Sequence, residues 1–220
     1  MTFFFVRQIS SASKAQATGP AAPTDDTMTS AEKLTIGALL VSTFVMILNE
    51  TIMSVALPEL MGEFAVTAAT AQWLTTGFML TMAVVIPTTG FLMTRLSVRS
   101  VFLLAMSLFL AGTALAVIAP TFPVLLGARV IQAAGTAMVL PLLMTTVLAL
   151  VPLRSRGLVM GLVGVVISAA PALGPTISGA ILARGSWHYL FVMMLPIIVV
   201  ALVIGLLFIR NYTEPRAVRL

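Results

Sequence analysis

Apolar residues in this chain neither alternate nor keep to one helical face. They run on in six long blocks, at about 34–57, 72–93, 101–120, 123–146, 157–182 and 189–209, with short polar breaks between them. A helix needs roughly 20 mostly apolar residues to cross a bilayer, and each block meets that length. Several breaks carry proline or glycine, as in "APTFP" and "ARGSW", where a helix would end. Continuous rather than alternating runs favour helices over a barrel, because a spanning helix satisfies its own backbone hydrogen bonds. The pattern therefore predicts an all-α integral membrane protein, a six-helix transmembrane bundle covering 34–210.

Composition strengthens this reading. Of the 220 residues, 60% are hydrophobic and 9% charged, against about a quarter charged in soluble domains. The first thirty residues, ending "SASKAQATGPAAPTDDTMTS", are polar and small, so residues 1–33 are expected to form a disordered tail. "MTFFFVRQ" has too short an apolar run, and a charge on the wrong side, for a signal peptide. Met28 is an alternative start to Met1. Residues 211–220 form a second, short tail.

Charge sets the expected orientation. Arg7, Lys14 and Lys33 precede the first span, Arg95 and Arg99 lie between the second and third, and Arg154 and Arg156 between the fourth and fifth. Arg210, Arg216 and Arg219 follow the sixth. The opposite side carries Arg184 with Glu59 and Glu63 nearby. Basic residues concentrate on the cytoplasmic side of membrane proteins, so both termini are expected in the cytoplasm, in a multi-pass protein of the plasma membrane. The net charge is +5, but the basic residues stand singly between apolar runs, which argues against a nucleic-acid partner. With no cysteine and one histidine, His188, thiolate chemistry, disulfides and a histidine zinc site are not expected.

Two charges fall well inside the spans: Glu50 in the first and Arg129 in the fourth. At 1.5 Å per residue, Glu50 lies ~24 Å from the inner face and Arg129 ~9 Å below the outer one. In a ~30 Å core these depths agree to about one helical turn. Intramembrane ionisable groups face the bundle interior and pair with one another or with backbone groups. Hydrocarbon disfavours a charged carboxylate and a neighbouring guanidinium favours it, so the two could form a titrating unit or a static ion pair. Gln132, one turn from Arg129, is a plausible hydrogen-bond partner. The fifth span, "GLVMGLVGVVISAAPALGPTISGAIL", is dense in glycine and proline. Gly157, Gly161 and Gly164 are spaced for close helix approach, and Pro171 and Pro175, with Gly174 and Gly179, should bend the helix.

These residues carry a family resemblance covering about 34–212. "LNETIMSVALP" (48–58) resembles the first-helix motif LDxTIVNVALP of the fourteen-span EmrB/QacA drug:proton antiporters of the major facilitator superfamily. "QWLTTGFML" (72–80), "LLGARVIQAAGTA" (125–137), "PALGPTISG" (171–179) and "SWHYLFVMMLP" (186–196) resemble its motifs in helices 2, 4, 5 and 6, in order. The resemblance implies the N-terminal half of such a transporter, built as two inverted three-helix repeats. It implies that Arg129 couples to protons and that Pro171, Gly174, Pro175 and Gly179 form the antiporter motif. Asn49 stands where the family's aspartate is usual, with the acid at Glu50, as in the lincomycin-efflux branch. The inner-loop motif GxLxDRxGRR reads "GFLMTRLSVR" (90–99), keeping Gly90, Arg95 and Arg99 but placing Thr94 at the aspartate; Ser178 replaces a glycine of GPxxGG.

The expected function is proton-driven efflux of amphipathic, often cationic compounds, with Glu50, Arg129, Asn49 and Gln132 as the coupling group and no cofactor beyond a proton gradient. Methionines such as Met46, Met53, Met138 and Met144 could line an adaptable pocket. Expected partners are the lipid bilayer, a small amphipathic substrate, and a second six-helix bundle from another chain or a homodimer. The alternative is a truncated, inactive or regulatory half-transporter. An intramembrane enzyme lacks a nucleophile or acid–base cluster, and a sugar or metabolite facilitator fits the bent fifth helix poorly.

Overall fold

The computed structural model describes residues 28–209, and these residues form helices and short connections. The tails, with Arg7, Lys14, Arg210, Arg216, Arg219 and the choice between Met1 and Met28, lie largely or wholly outside the described residues. Helix α1 spans Ser30–Glu63, and a short α2, Ala68–Ala71, leads into α3, Trp73–Arg95. Then follow α4 (Val98–Val117), α5 (Phe122–Leu150), α6 (Leu153–Leu182) and α7 (His188–Phe208). Counting α2 and α3 as one crossing, six helices are long and apolar enough to span a membrane. They match the six blocks read from the sequence, with ends shifted by a few residues.

Local chemistry sets the ends. Helix α1 begins at Ser30, one turn before the apolar run, because Thr29 and Glu32 form a reciprocal capping box: the Glu32 amide donates to Thr29 Oγ1 (3.3 Å) and the Thr29 amide to Glu32 Oε2 (2.8 Å). Such a box satisfies two otherwise unpaired amides. Thr67 and Ser97 cap α2 and α4 in the simpler way, accepting from the amides of Thr70 and Ser100. Pro123 enters α5 in its first turn, where its missing amide costs nothing. Pro58, Pro87, Pro141, Pro171, Pro175 and Pro196 all lie inside helices that continue past them.

The packing pattern reveals the repeats. Helix α1 packs on α6 and α7, while α5 packs on α3 and α4; α1 also meets α5, and α4 meets α7. Exchanging α1, α3, α4 for α5, α6, α7 leaves this pattern unchanged. The bundle is thus two three-helix repeats, each first helix seated between the second and third helices of the other. Since α1 and α5 both sit at the centre, they are the most buried spans, 61% and 56% of their apolar windows, against 11% for the α2–α3 crossing and 22% for α6.

Glycine decides the closest helix approaches, though not along the regularly spaced run that opens α6. A Cβ on Gly135 would collide with the Ala105 carbonyl of α4, and one on Gly112 would lie 2.7 Å from the Gln132 backbone nitrogen of α5. On Gly174 it would strike the Thr51 side chain, and on Gly205 the Phe102 ring. Gly157, Gly161 and Gly164 face open space instead and bring no helix of this bundle close. Spacing identifies a small-residue face but not which side of the helix has a neighbour. Gly179 and Gly127 are likewise unobstructed.

Candidate functional site

At the centre of the bundle lies Arg129 of α5, 1% exposed. Its Nη1 donates to Asn49 Oδ1 of α1 (3.1 Å) and to Gln132 Oε1 one turn along its own helix (3.0 Å). Gln132 Nε2 in turn donates to Thr113 Oγ1 of α4 (2.9 Å), and the Thr113 hydroxyl donates to the Phe109 carbonyl (2.7 Å). The guanidinium also stacks on the ring of Phe78 from α3, 4.2 Å from its centroid. Four helices therefore hold one cation: α1 and α4 through amide and hydroxyl groups, α3 through a ring face, and α5 as its own support. Gly112 makes room for the Gln132 link, since any side chain there would occupy its Cγ position. Arg129 Nε is buried without a hydrogen-bond partner.

Similar depth in the membrane predicts a pair between Glu50 and Arg129. Glu50 and Arg129 interact through space, but among the described residues no direct ion pair joins them, and the hydrogen bonds of Arg129 go to Asn49 and Gln132. Successive residues on a helix point about 100° apart, so Asn49 and Glu50 approach Arg129 from different directions. Asn49 turns inward and is 2% exposed, while Glu50 is only half-buried. Gln132 occupies the position expected of it. Phe78 and Thr113 were not read as site residues. An aromatic within an apolar span and a threonine near a helix end look like packing until the fold brings four helices to one point.

The antiporter-motif residues divide. Gly174 packs against Thr51, the residue after Glu50, and so couples α6 to the site; the Thr51 hydroxyl lies 3.5 Å from the Ala170 carbonyl. Pro171, Pro175 and Gly179 point away from the bundle and are exposed. Gly90, Arg95 and Arg99 lie at the end of the bundle where α1 begins and α7 ends, apart from Arg129. There the Arg95 guanidinium sits 4.8 Å over the Phe91 ring, and Arg99 Nη2 donates to the Leu206 carbonyl (3.0 Å), fastening α4 to the last turn of α7. Arg156 does the same for α5, donating to the carbonyls of Val151 and Leu148. A cation against terminal carbonyls also complements the helix dipole. Thr94, at the family's aspartate position, hydrogen-bonds back to the Phe91 carbonyl (2.7 Å). Gly90 and Thr94 border a cavity of about 430 Å³ between α3 and α5, with Met93, Leu142, Thr145 and Thr146.

At the other end, the Trp187 amide donates to Glu59 Oε1 (3.0 Å), tying α1 to the start of α7. The Trp187 ring stacks on His188 at 3.7 Å and meets Phe64 and Phe191. Of the methionines considered as pocket lining, Met46, Met53 and Met138 belong to the buried core and Met144 packs against it.

Comparison with known proteins agrees with this architecture. The family model described as Major Facilitator Superfamily matches residues 39–219. The chain is 48% identical over 181 residues to the uncharacterized MFS-type transporter YcnB of Bacillus subtilis, covering 82% of this chain and 38% of that one. It is 42% identical over 177 residues to the lincomycin resistance protein LmrB of the same organism, covering 80% of this chain and 37% of that one. Among solved structures, the human organic anion transporter MFSD10 superposes with a TM-score of 0.72 at 16% identity, covering 84% of this chain and 49% of that one. The peptide transporter POT superposes at 0.70 and 15% identity, covering 79% of this chain and 37% of that one. At such low identity these two speak for the fold alone. The chain spans less than two-fifths of the length of these two Bacillus relatives.

Proposed function

Because the chain belongs to the Major Facilitator Superfamily, we propose that it supplies one six-helix bundle of a proton-coupled exporter of amphipathic, often cationic compounds. One observation carries the reading: a fully buried arginine is held by neutral groups beside a half-buried glutamate that has no direct ionic partner among the described residues. A buried carboxylate is costly and persists where it binds something. In this reading Glu50 takes up and releases a proton or meets the cationic substrate, and Arg129 with Asn49 and Gln132 sets the local field. Helix α6, close against Thr51 through Gly174, transmits the change. The name of the relative LmrB favours a drug-like substrate.

A second bundle completes the path. The largely uncovered α3 and α6 support that partner, whether another chain, a second copy or a further part of the same protein. The basic residues clustered at one end of the bundle support an orientation with both termini in the cytoplasm, in the plasma membrane. The same facts favour a second reading, a half-bundle that does not transport by itself.

The test is efflux of lincomycin and of ethidium from a pump-deficient bacterium expressing the chain, alone and beside a partner bundle, with and without Glu50→Gln. Energised efflux lost in Glu50→Gln upholds the reading. Efflux that the mutation leaves intact removes Glu50 from the mechanism, and no efflux under any pairing leaves the non-transporting half-bundle.

A further inference from the structure

A buried cation is stable only when something replaces its hydration. Here the replacement is neutral: two amide oxygens on one nitrogen and the face of an aromatic ring. The obvious counter-charge, Glu50, sits on the residue next to Asn49 and interacts with the guanidinium without touching it. Something therefore keeps Arg129 from closing on Glu50. Asn49 can hold only one edge of a planar guanidinium; Nη1 is engaged, and Nε has no hydrogen-bond partner. The third contact is Phe78, 1% exposed, whose ring lies under the guanidinium carbon, 4.2 Å from it to the ring centroid. Attraction to the ring face holds the cation in place from a side that hydrogen bonds to one nitrogen leave open.

We propose that Phe78 is a positioning residue: by stacking on Arg129 it holds the guanidinium against Asn49 and so leaves the Glu50 carboxylate unpaired. The arrangement is a two-position device. With the ring in place the cation rests on neutral Asn49; without it, the cation moves to the adjacent acid. Glu50 is thereby available as a proton or cation site, and in that consequence the inference rests on the coupling reading given above. The placement of Arg129 does not depend on that reading.

The experiment reads Glu50 directly. Dicyclohexylcarbodiimide reacts with protonated carboxyl groups in apolar surroundings and not with ion-paired carboxylates. Its adducts are mapped by peptide mass spectrometry on the full chain in membranes, with Glu32, Glu59 and Glu63 as internal references. Wild-type Glu50 is expected to label readily. Phe78→Leu, which keeps the bulk and removes the ring, should slow labelling by about tenfold, the population shift one desolvated cation–π contact carries. Phe78→Trp should restore it to near the wild-type rate, which a purely volumetric role would not produce. Asn49→Ala removes the other holding point and should slow labelling in the same way, so it serves if Phe78→Leu fails to insert. Equal Glu50 labelling in wild type and in whichever of these two variants inserts, or a wild-type Glu50 that resists the reagent, overturns the proposal. The labelling pattern without any lincomycin or ethidium efflux upholds Phe78 as the positioning residue and overturns only the coupling role of Glu50.

Discussion

Arg129 donates from Nη1 to Asn49 Oδ1 across the α1–α5 contact at 3.1 Å, and that bond joins the two helices at the core of the two repeats. It joins a buried charge to a buried neutral amide, so it serves as both anchor and insulation. Asn49 holds α1 to α5 without cancelling the charge, which leaves the electrostatics of the bundle centre to its neighbour Glu50.

Removing that anchor should be felt in stability. Asn49→Ala removes the bond by which α1 holds the guanidinium, and losing a hydrogen bond to a charged group costs about 1.5–3 kcal/mol. A lower melting temperature in detergent, followed by tryptophan fluorescence, is the expected outcome. Asn49→Asp should be tolerated much better, because the carboxylate can take the same bond.

Two glycine substitutions on α6 should behave oppositely. Gly174→Val drives a side chain into Thr51, and overpacking of this kind costs about 1–3 kcal/mol. Gly161→Ala meets nothing within 4 Å and should leave the melting temperature of the chain unchanged or slightly raised, since alanine is the better helix former. If Gly161→Ala instead blocks assembly with a second bundle, crosslinking yield would report it without a change in the stability of the chain alone.

The α4–α5 crossing should be the least forgiving. Gly135→Leu and Gly112→Leu both place atoms where the opposing backbone lies, and Gly112→Leu also displaces Gln132 from Arg129. Both should lower the yield of folded protein in membranes, measured by monodisperse elution in detergent, more than Gly127→Leu, which enters open space.

Orientation can be read from a chain that has no cysteine of its own. Single Thr94→Cys and Arg184→Cys variants place one thiol at each end of the bundle. A membrane-impermeant maleimide added to intact cells is expected to label Arg184→Cys and to reach Thr94→Cys after permeabilisation. The reverse pattern would invert the proposed topology.

The tie between α1 and α7 at Glu59 and Trp187 offers a further test. Glu59→Gln keeps an acceptor for the Trp187 amide, whereas Glu59→Ala removes it. The alanine variant should lose about 1 kcal/mol and show a shifted tryptophan emission, because the indole sits in the aromatic cluster beside that bond. The glutamine variant should match wild type in both.

Legibility followed from the range of the interaction involved. Six crossings, the all-helical class and the two intramembrane charges could be read from the sequence, because hydrocarbon imposes length and polarity on each segment separately. Gln132 could be read as well, since its link to Arg129 lies within one helical turn. Phe78 and Thr113 could not, because nothing local marks an aromatic or a threonine as the one that meets a cation from another helix. The same holds for glycine: residues 157, 161 and 164 had the more regular spacing, yet 112, 135, 174 and 205 make the contacts. Whether a small residue matters depends on what crosses it. The order of residues alone sets the membrane-spanning elements and an acid and a base at similar depth. That the base rests on Asn49 and Phe78 rather than on Glu50 emerges once the helices pack, because the helices that converge on Arg129 are brought together by contacts between distant segments.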